Sequence, residues 1–309
     1  MVKIPVVLAF TPNYIVPAAT TILSILDSSS ACGFHIICLL TEELSGEQQS
    51  LLRAIDSHRL TYSFIDLSRR KLDIYVDERY TIAASYRLLL PELLPEYDKV
   101  IYIDSDIIVR QDLGRLFAEK NMQDYYLAGV YEATLPFQEE YIYGLGLQPG
   151  NYINSGFLLM NLKKLREDGM VSRFLEASQK DGLQFPDQDV INQLCQGKIL
   201  ALSPVYNSIR TFFLPQYKKD FLRYYTEEEW DNVQQYGNIH YTGGKPWNEV
   251  VVHFETWWSY YDRLSEGLRA MATVDSKIYY LSRVLKIKGL RNIKDFVLKL
   301  YRKLKYRVN

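Results

Sequence analysis

The 309-residue sequence has only three cysteines, Cys32, Cys38 and Cys195, and they show no paired spacing. That argues against a disulfide framework and against a zinc site, and it fits a reducing, cytosolic setting. No apolar run approaches the roughly 20 residues of a membrane-spanning helix. The apolar segment Pro5–Phe10 is too short and too early for a signal peptide. No Gly-x-Gly-x-x-Gly follows the first apolar run, and no Walker-type loop occurs anywhere. Ordinary dinucleotide and P-loop binding are therefore not expected. Net charge is scarce too, at −1, but it is unevenly distributed. Ser276–Asn309 carries eleven Lys/Arg against Asp295 alone, about +10, which leaves about −11 on the remainder.

What is present is a globular composition, 48% hydrophobic and 24% charged, enough for one or two domains. Val2–Phe10 reads as a strand ending in the turn residues Thr11-Pro12-Asn13-Tyr14, with a helix around Val16–Leu26. Phe34–Leu40 and Leu60–Leu67 read as further strands. Between them Ser45–Ser57 is amphipathic, with Leu51, Leu52 and Ile55 on its apolar side. Alternating strands and helices imply a Rossmann-like α/β sheet, in which ligands sit outside the carboxyl ends of strands.

The organising stretch is Asp98–Arg110. Val100–Ile103 is a buried strand that ends in Asp104-Ser105-Asp106, and Ile107–Val109 then resumes the apolar run. Two like charges at the edge of a core are costly unless a cation compensates them. An Asp-x-Asp alone is weak evidence, since solvated acids at a strand end look the same. Thr81–Pro95 reads as an apolar helix carrying Arg87, which either bonds an anionic ligand or merely pairs with a surface acid. Tyr125–Tyr131 reads as a strand, and Ala133–Gly150 as a mobile loop near the pocket or a plain surface excursion. Asn154-Ser155-Gly156 opens another buried strand, where glycine permits close backbone approach. Pro186-Asp187-Gln188-Asp189 has the form of a helix start, its acids being either capping partners or a polar cluster. His240-Tyr241-Thr242-Gly243-Gly244-Lys245-Pro246-Trp247 joins a strand-end histidine to a turn and an ammonium that suit a phosphate.

In this order, the set closely resembles glycosyltransferase family 8, over about residues 3–250. The resemblance implies a GT-A fold: a mixed sheet flanked by helices over residues 1–250, a helical extension at 251–275 and a basic tail at 276–309. It also implies metal ligands at Asp104, Asp106 and His240, for Mn²⁺ or alternatively Mg²⁺, and a UDP-sugar donor. The nucleotide-binding positions fall on Ala9, Thr11, Asn13 and Tyr14, with Ser105 inside the acidic motif. Gly243 and Lys245 match diphosphate contacts, and Arg87, Asn154, Asp187 and Gln188 match positions around the donor sugar. Two departures stand out. Related bacterial enzymes carry aspartate where Thr11 stands, and their segment from the histidine to the lysine is one residue longer.

The function implied is metal-dependent transfer of glucose or galactose, with retention, to a hydroxyl of a glycan or lipid-linked acceptor in cell-surface polysaccharide synthesis. Gln188 is cast as an electrostatic stabiliser, and Asp187 as the minority choice of nucleophile. Two other classes remain at this stage: an inactive or regulatory sugar-nucleotide-binding module, and a sugar-nucleotide hydrolase or nucleotidyltransferase. The tail repeats Ile293, Phe296, Val297, Leu300, Tyr301 and Leu304 among basic residues, a pattern suited to an anionic membrane surface at the inner face of the cell membrane, or else to a helix packed on the protein's own acidic body. No nucleic-acid-binding module accompanies the charge.

Overall fold

The computed structural model describes residues 3–75 and 81–285. β1 (Ile4–Phe10), β2 (Phe34–Leu40) and β3 (Leu60–Asp66) form at the expected strands and pair in parallel, β2 in the middle. The helix Ile15–Ser28 connects β1 to β2 and is buried from Ile15 to Leu26, because it is apolar nearly all round. The helix Gly46–Arg53 connects β2 to β3. It starts on a reciprocal cap: Gln48 N donates to Ser45 Oγ and Ser45 N to Gln48 Oε1.

After β3 the chain recrosses β1 and adds β4 (Lys99–Ile103) in parallel on its other side. β6 (Leu127–Gly129), β7 (Phe157–Asn161) and β8 (Ile199–Ala201) complete a seven-stranded sheet of order β3-β2-β1-β4-β7-β6-β8. β7 is antiparallel to β4 and β6, so the sheet is mixed. Alternate residues serve its two faces: Val6, Leu8, Ile101 and Ile103 enter one core, and Val7, Val100 and Tyr102 the other. Strand order reverses between β1 and β4, so their carboxyl ends open a crevice.

Four expectations need correction or refinement. Ile107–Val109 does not continue the main sheet. β5 (Ile107–Ile108) leaves it and, with β9 (Ser208–Ile209) and β10 (Ile239–His240), forms a three-stranded sheet of order β5-β10-β9. Within Thr81–Pro95, Ile82–Leu89 is 3₁₀ rather than α, followed by one α turn at Leu90–Leu93. Pro91 bears only on the last of these turns: its ring crowds the Arg87 carbonyl four residues back, and Leu90 N bonds Arg87 O in the tighter pattern.

Ala133–Gly150 is folded rather than loose, with a helix at Glu139–Gly144 and a small core of Ile142, Leu147 and Tyr152. Residues 251–275 share the main core. Trp257, Trp258 and Leu268, from the helices Phe254–Tyr261 and Glu266–Ala270, belong to the same apolar cluster as β1. Trp258 Nε1 also donates to Pro246 O at 3.0 Å. Of the basic tail, Ser276–Leu285 is a helix with Ile278, Ser282 and Leu285 buried. Residues 286–309, which include the Ile293–Leu304 pattern, lie outside the described residues. Among the described residues no helix is long and apolar enough to cross a membrane.

Candidate active site

Backbone pairing assembles the site. Asp104 N donates to Gly156 O at 2.8 Å, which joins the end of β4 to the turn before β7. Ser105 makes the bend, its carbonyl accepting from Thr21 Oγ1 at 3.0 Å. β5 then pairs with β10 so that Ile107 faces His240, and Tyr241 N donates to Asp106 O at 3.1 Å. One ligand atom each from Asp104, Asp106 and His240 consequently lies within 4.8 Å of the others.

The carboxylates are oriented by what holds their other oxygens. Asp104 Oδ1 accepts from Arg87 Nη2 at 2.9 Å and from Tyr102 Oη at 3.0 Å. This leaves Oδ2 toward His240 Nε2, at 3.8 Å. Asp106 Oδ2 accepts from Lys245 Nζ, and Oδ1 lies 3.4 Å from His240 Nε2. Burial pushes the Asp106 carboxyl up, but the Lys245 ammonium beside it outweighs this and holds it well below the usual carboxylate range. Two carboxylate oxygens and an imidazole nitrogen converging in this way fit a divalent metal ion.

Arg87 is buried at 3% exposure and belongs to the site, not the surface. Its guanidinium lies 4.3 Å from the centre of the Tyr102 ring. Nε donates to Ala84 O at 2.7 Å and lies 3.1 Å from Asp187 Oδ2, while Nη1 donates to Ser155 Oγ at 3.0 Å. With Asp104 on Nη2, Arg87 ties the acidic motif to the helix Pro186–Leu194. Burial pushes the Asp187 carboxyl above its usual value, with Arg87 opposing. Asp189 faces away from that cluster. It accepts from Tyr141 Oη at 2.6 Å and Tyr152 Oη at 2.5 Å, and so anchors segment 133–150 to the same helix.

Two cavities meet at this point. One, of about 440 Å³, is lined by Asn154, Asp187, Gln188 and His240 and by the apolar side chains of Leu135, Phe137 and Phe185. The other, of about 420 Å³, is lined by Ala9, Thr11, Tyr14 and Ser105. Ala84, Arg87, Asp104, Asp106, Gly243 and Lys245 line both. Of the residues given metal-binding, donor-binding or catalytic positions from sequence, Asn13 alone lines neither; it is exposed and accepts from Thr11 Oγ1. Gly243 has φ +82°, a conformation that favours glycine at the turn into Lys245.

Two residues had not been anticipated. Glu132 lines the first cavity and accepts from Asn154 Nδ2 at 3.1 Å, its carboxyl pushed up by burial. An acid directly after a strand was the available signal, the same one that marks Asp104. Asn207 Oδ1 lies 2.8 Å from His240 Nδ1, and nothing in the sequence distinguishes it.

A doubly directed α/β sheet with an acid–acid–imidazole cluster at its switch point is the arrangement of a GT-A glycosyltransferase. The model of "Glycosyl transferase family 8" matches residues 5–250, and the chain belongs to that family. Glycosyltransferase GlyF of Streptococcus pneumoniae serotype 4 is 29% identical over 265 residues, 83% of this chain and 61% of GlyF. Lipopolysaccharide 1,2-glucosyltransferase of Escherichia coli K12 is 25% identical over 250 residues, 78% of this chain and 72% of that enzyme. The chain thus spans about three-fifths of GlyF, as it does of GlyB from the same Streptococcus, at 59%. Among solved structures, the galactosyltransferase LgtC in complex with donor and acceptor sugar analogs superposes with a TM-score of 0.70 at 22% identity, over 87% of this chain and all of that one. The bifunctional glycosyltransferase WbbM gives 0.73 at 21% identity, over 87% of this chain and 52% of that one. The fold is GT-A, as the sequence implied.

Proposed function

We propose that this chain is a retaining hexosyltransferase that moves glucose or galactose from a UDP-sugar to a hydroxyl of a glycan or lipid-linked acceptor. The observation that carries this reading is the junction: the Asp104–Asp106 pair and Lys245 line both cavities. A nucleoside diphosphate sugar has that form, with a base at one end, a hexose at the other and a charged diphosphate between them. Tyr14, braced edge-on by Trp247 at 5.6 Å between centroids, suits stacking on uracil on the nucleotide side. Asn154, Asp187 and Gln188 suit the hexose on the other side.

Asp104, Asp106 and His240 would hold Mn²⁺, or Mg²⁺, through two carboxylate oxygens and Nε2. A bound divalent ion offsets the charge that develops on the departing diphosphate. Lys245 adds an ammonium, and Gly243 the close backbone approach. Arg87 has most of its N–H groups committed, so its part is to hold Asp104 and Asp187 in position.

The transferred carbon breaks its bond to the diphosphate oxygen and forms one to the acceptor oxygen, through an oxocarbenium-like transition state. Arg87 Nε and Ser155 Oγ both engage Asp187 Oδ2, at 3.1 and 3.0 Å, which supports a part in holding the site together and leaves covalent attack by Asp187 as the minority reading. Gln188 is held by Ser155 N, which donates to Oε1 at 3.0 Å, and it contributes dipole rather than a covalent bond. In the same-face reading, a phosphate oxygen of the leaving group takes the acceptor proton and no protein base is required.

The lipopolysaccharide relative supports a role in bacterial cell-surface glycan synthesis. The helix Ser276–Leu285 supports a cytoplasmic protein peripheral to the inner membrane face. While Ile278 and Leu285 pack inward, Tyr280 is 67% and Val284 46% exposed beside Lys277 and Arg283. Incubating the protein with Mn²⁺, UDP-galactose or UDP-glucose and a saccharide acceptor tests the reaction class. An α-glycoside seen in the NMR anomeric coupling is the expected product; a β-glycoside, or free hexose alone, overturns the reading.

A further inference from the structure

We infer that Asn207 is a positioning residue that determines which imidazole nitrogen of His240 faces Asp104 and Asp106. The inference rests on reading those three residues as a metal centre. Asn207 is 1% exposed and directly precedes β9, whose Ile209 pairs with His240. The strand register therefore brings its amide against the imidazole.

The direction of that amide is fixed from a distance. Glu132 Oε1 accepts from Asn154 Nδ2 at 3.1 Å. This orients Asn154 so that its Oδ1 accepts from Gly156 N at 3.1 Å and from Asn207 Nδ2 at 2.9 Å. Asn207 Nδ2 also lies 3.3 Å from Asn154 O. Turning the Asn207 amide over would set oxygen against oxygen at Asn154, so Oδ1 is left facing His240 Nδ1 at 2.8 Å. An amide oxygen only accepts, and Nδ1 must therefore carry the hydrogen. The lone pair of the neutral ring then sits on Nε2, the nitrogen 3.4 Å from Asp106 Oδ1 and 3.8 Å from Asp104 Oδ2. The opposite tautomer would point an N–H into the cluster and could not ligate. A partner on the second nitrogen is how proteins fix a metal-binding histidine, and here the partner is a neutral amide held by a half-buried acid, Glu132, two residues away along the hydrogen-bond chain.

Two measurements test this. In the metal-free native protein, ¹⁵N NMR of His240 at a pH where the ring is neutral should show the Nδ1–H tautomer. In Mn²⁺ titrations followed by electron paramagnetic resonance without donor, Asn207→Ala should bind roughly 10–100-fold more weakly than native. A predominant Nε2–H tautomer in the native protein, or native Mn²⁺ affinity in Asn207→Ala, overturns the inference. Should Asn207→Ala fail to fold, the native tautomer decides alone. If the native protein binds no Mn²⁺, the metal-centre reading fails, whereas native binding unaffected by Asn207→Ala sinks only the role of Asn207.

Discussion

Gly156 lies so close to His240 that a methyl group on its Cα would overlap the imidazole Cε1, and it would also come within 2.7 Å of Asp104 Oδ2. The glycine is there for the approach of β7's first turn to the acidic motif, since its φ is not among the positive ones. Gly156→Ala should therefore push two of the three cluster residues apart. The expected cost is about 1–3 kcal/mol in urea denaturation, together with weakened Mn²⁺ binding. Gly46→Ala is the control, because nothing lies within 4 Å of a methyl group there. Equal behaviour of the two variants would mean that the close packing at Gly156 is unimportant.

Gln188→Ala should lower kcat by about 10–100-fold with a smaller change in KM, as expected for an interaction that strengthens in the transition state. Steady-state kinetics with the preferred UDP-sugar measure this. Near-native kcat would remove Gln188 from the chemistry.

Tyr141→Phe takes one donor from Asp189 and loosens the hold of Glu139–Gly144 on the helix that carries Gln188. A loss of about 1–2 kcal/mol is expected, with faster proteolysis inside 133–150. An unchanged cleavage pattern would mean that the anchor lies elsewhere.

Much of this was legible in the sequence, wherever local pattern decides structure. Phe34–Leu40 is a strand with the bounds read from its apolar run. The acids at the end of β4 and the Asn-Ser-Gly before β7 fall at one crevice because both ends are set by strand direction. The illegible parts depend on distant partners. Ile107–Ile108 leaves the main sheet to pair with residues 239–240, and no local signal records that choice. Segment 133–150 looks like a loop until Asp189 and Tyr152 supply its anchor. Asn207 has its role only because β9 lies beside β10. Only the last turn of the 3₁₀ segment Ile82–Leu89 was readable in principle, from Pro91.

Ile278 and Leu285 are buried, and Tyr279 packs on Trp258 at 5.1 Å between ring centroids. A chain ending at Asp275 should lose binding to anionic vesicles. It should also melt at least about 2–4 °C lower. Undiminished vesicle binding by that chain would refute a membrane role for Ser276–Asn309.

The account depends most on Asp104, Asp106 and His240 acting together on a UDP-sugar. The most direct measurement is Mn²⁺-dependent release of UDP from UDP-glucose and UDP-galactose in the presence of saccharide acceptors, by the native protein and by Asp106→Ala and His240→Ala. The expected result is acceptor-stimulated release with one donor, reduced by roughly 100-fold or more in each variant. Release that persists in both variants, or that proceeds equally without a divalent ion, would contradict the account.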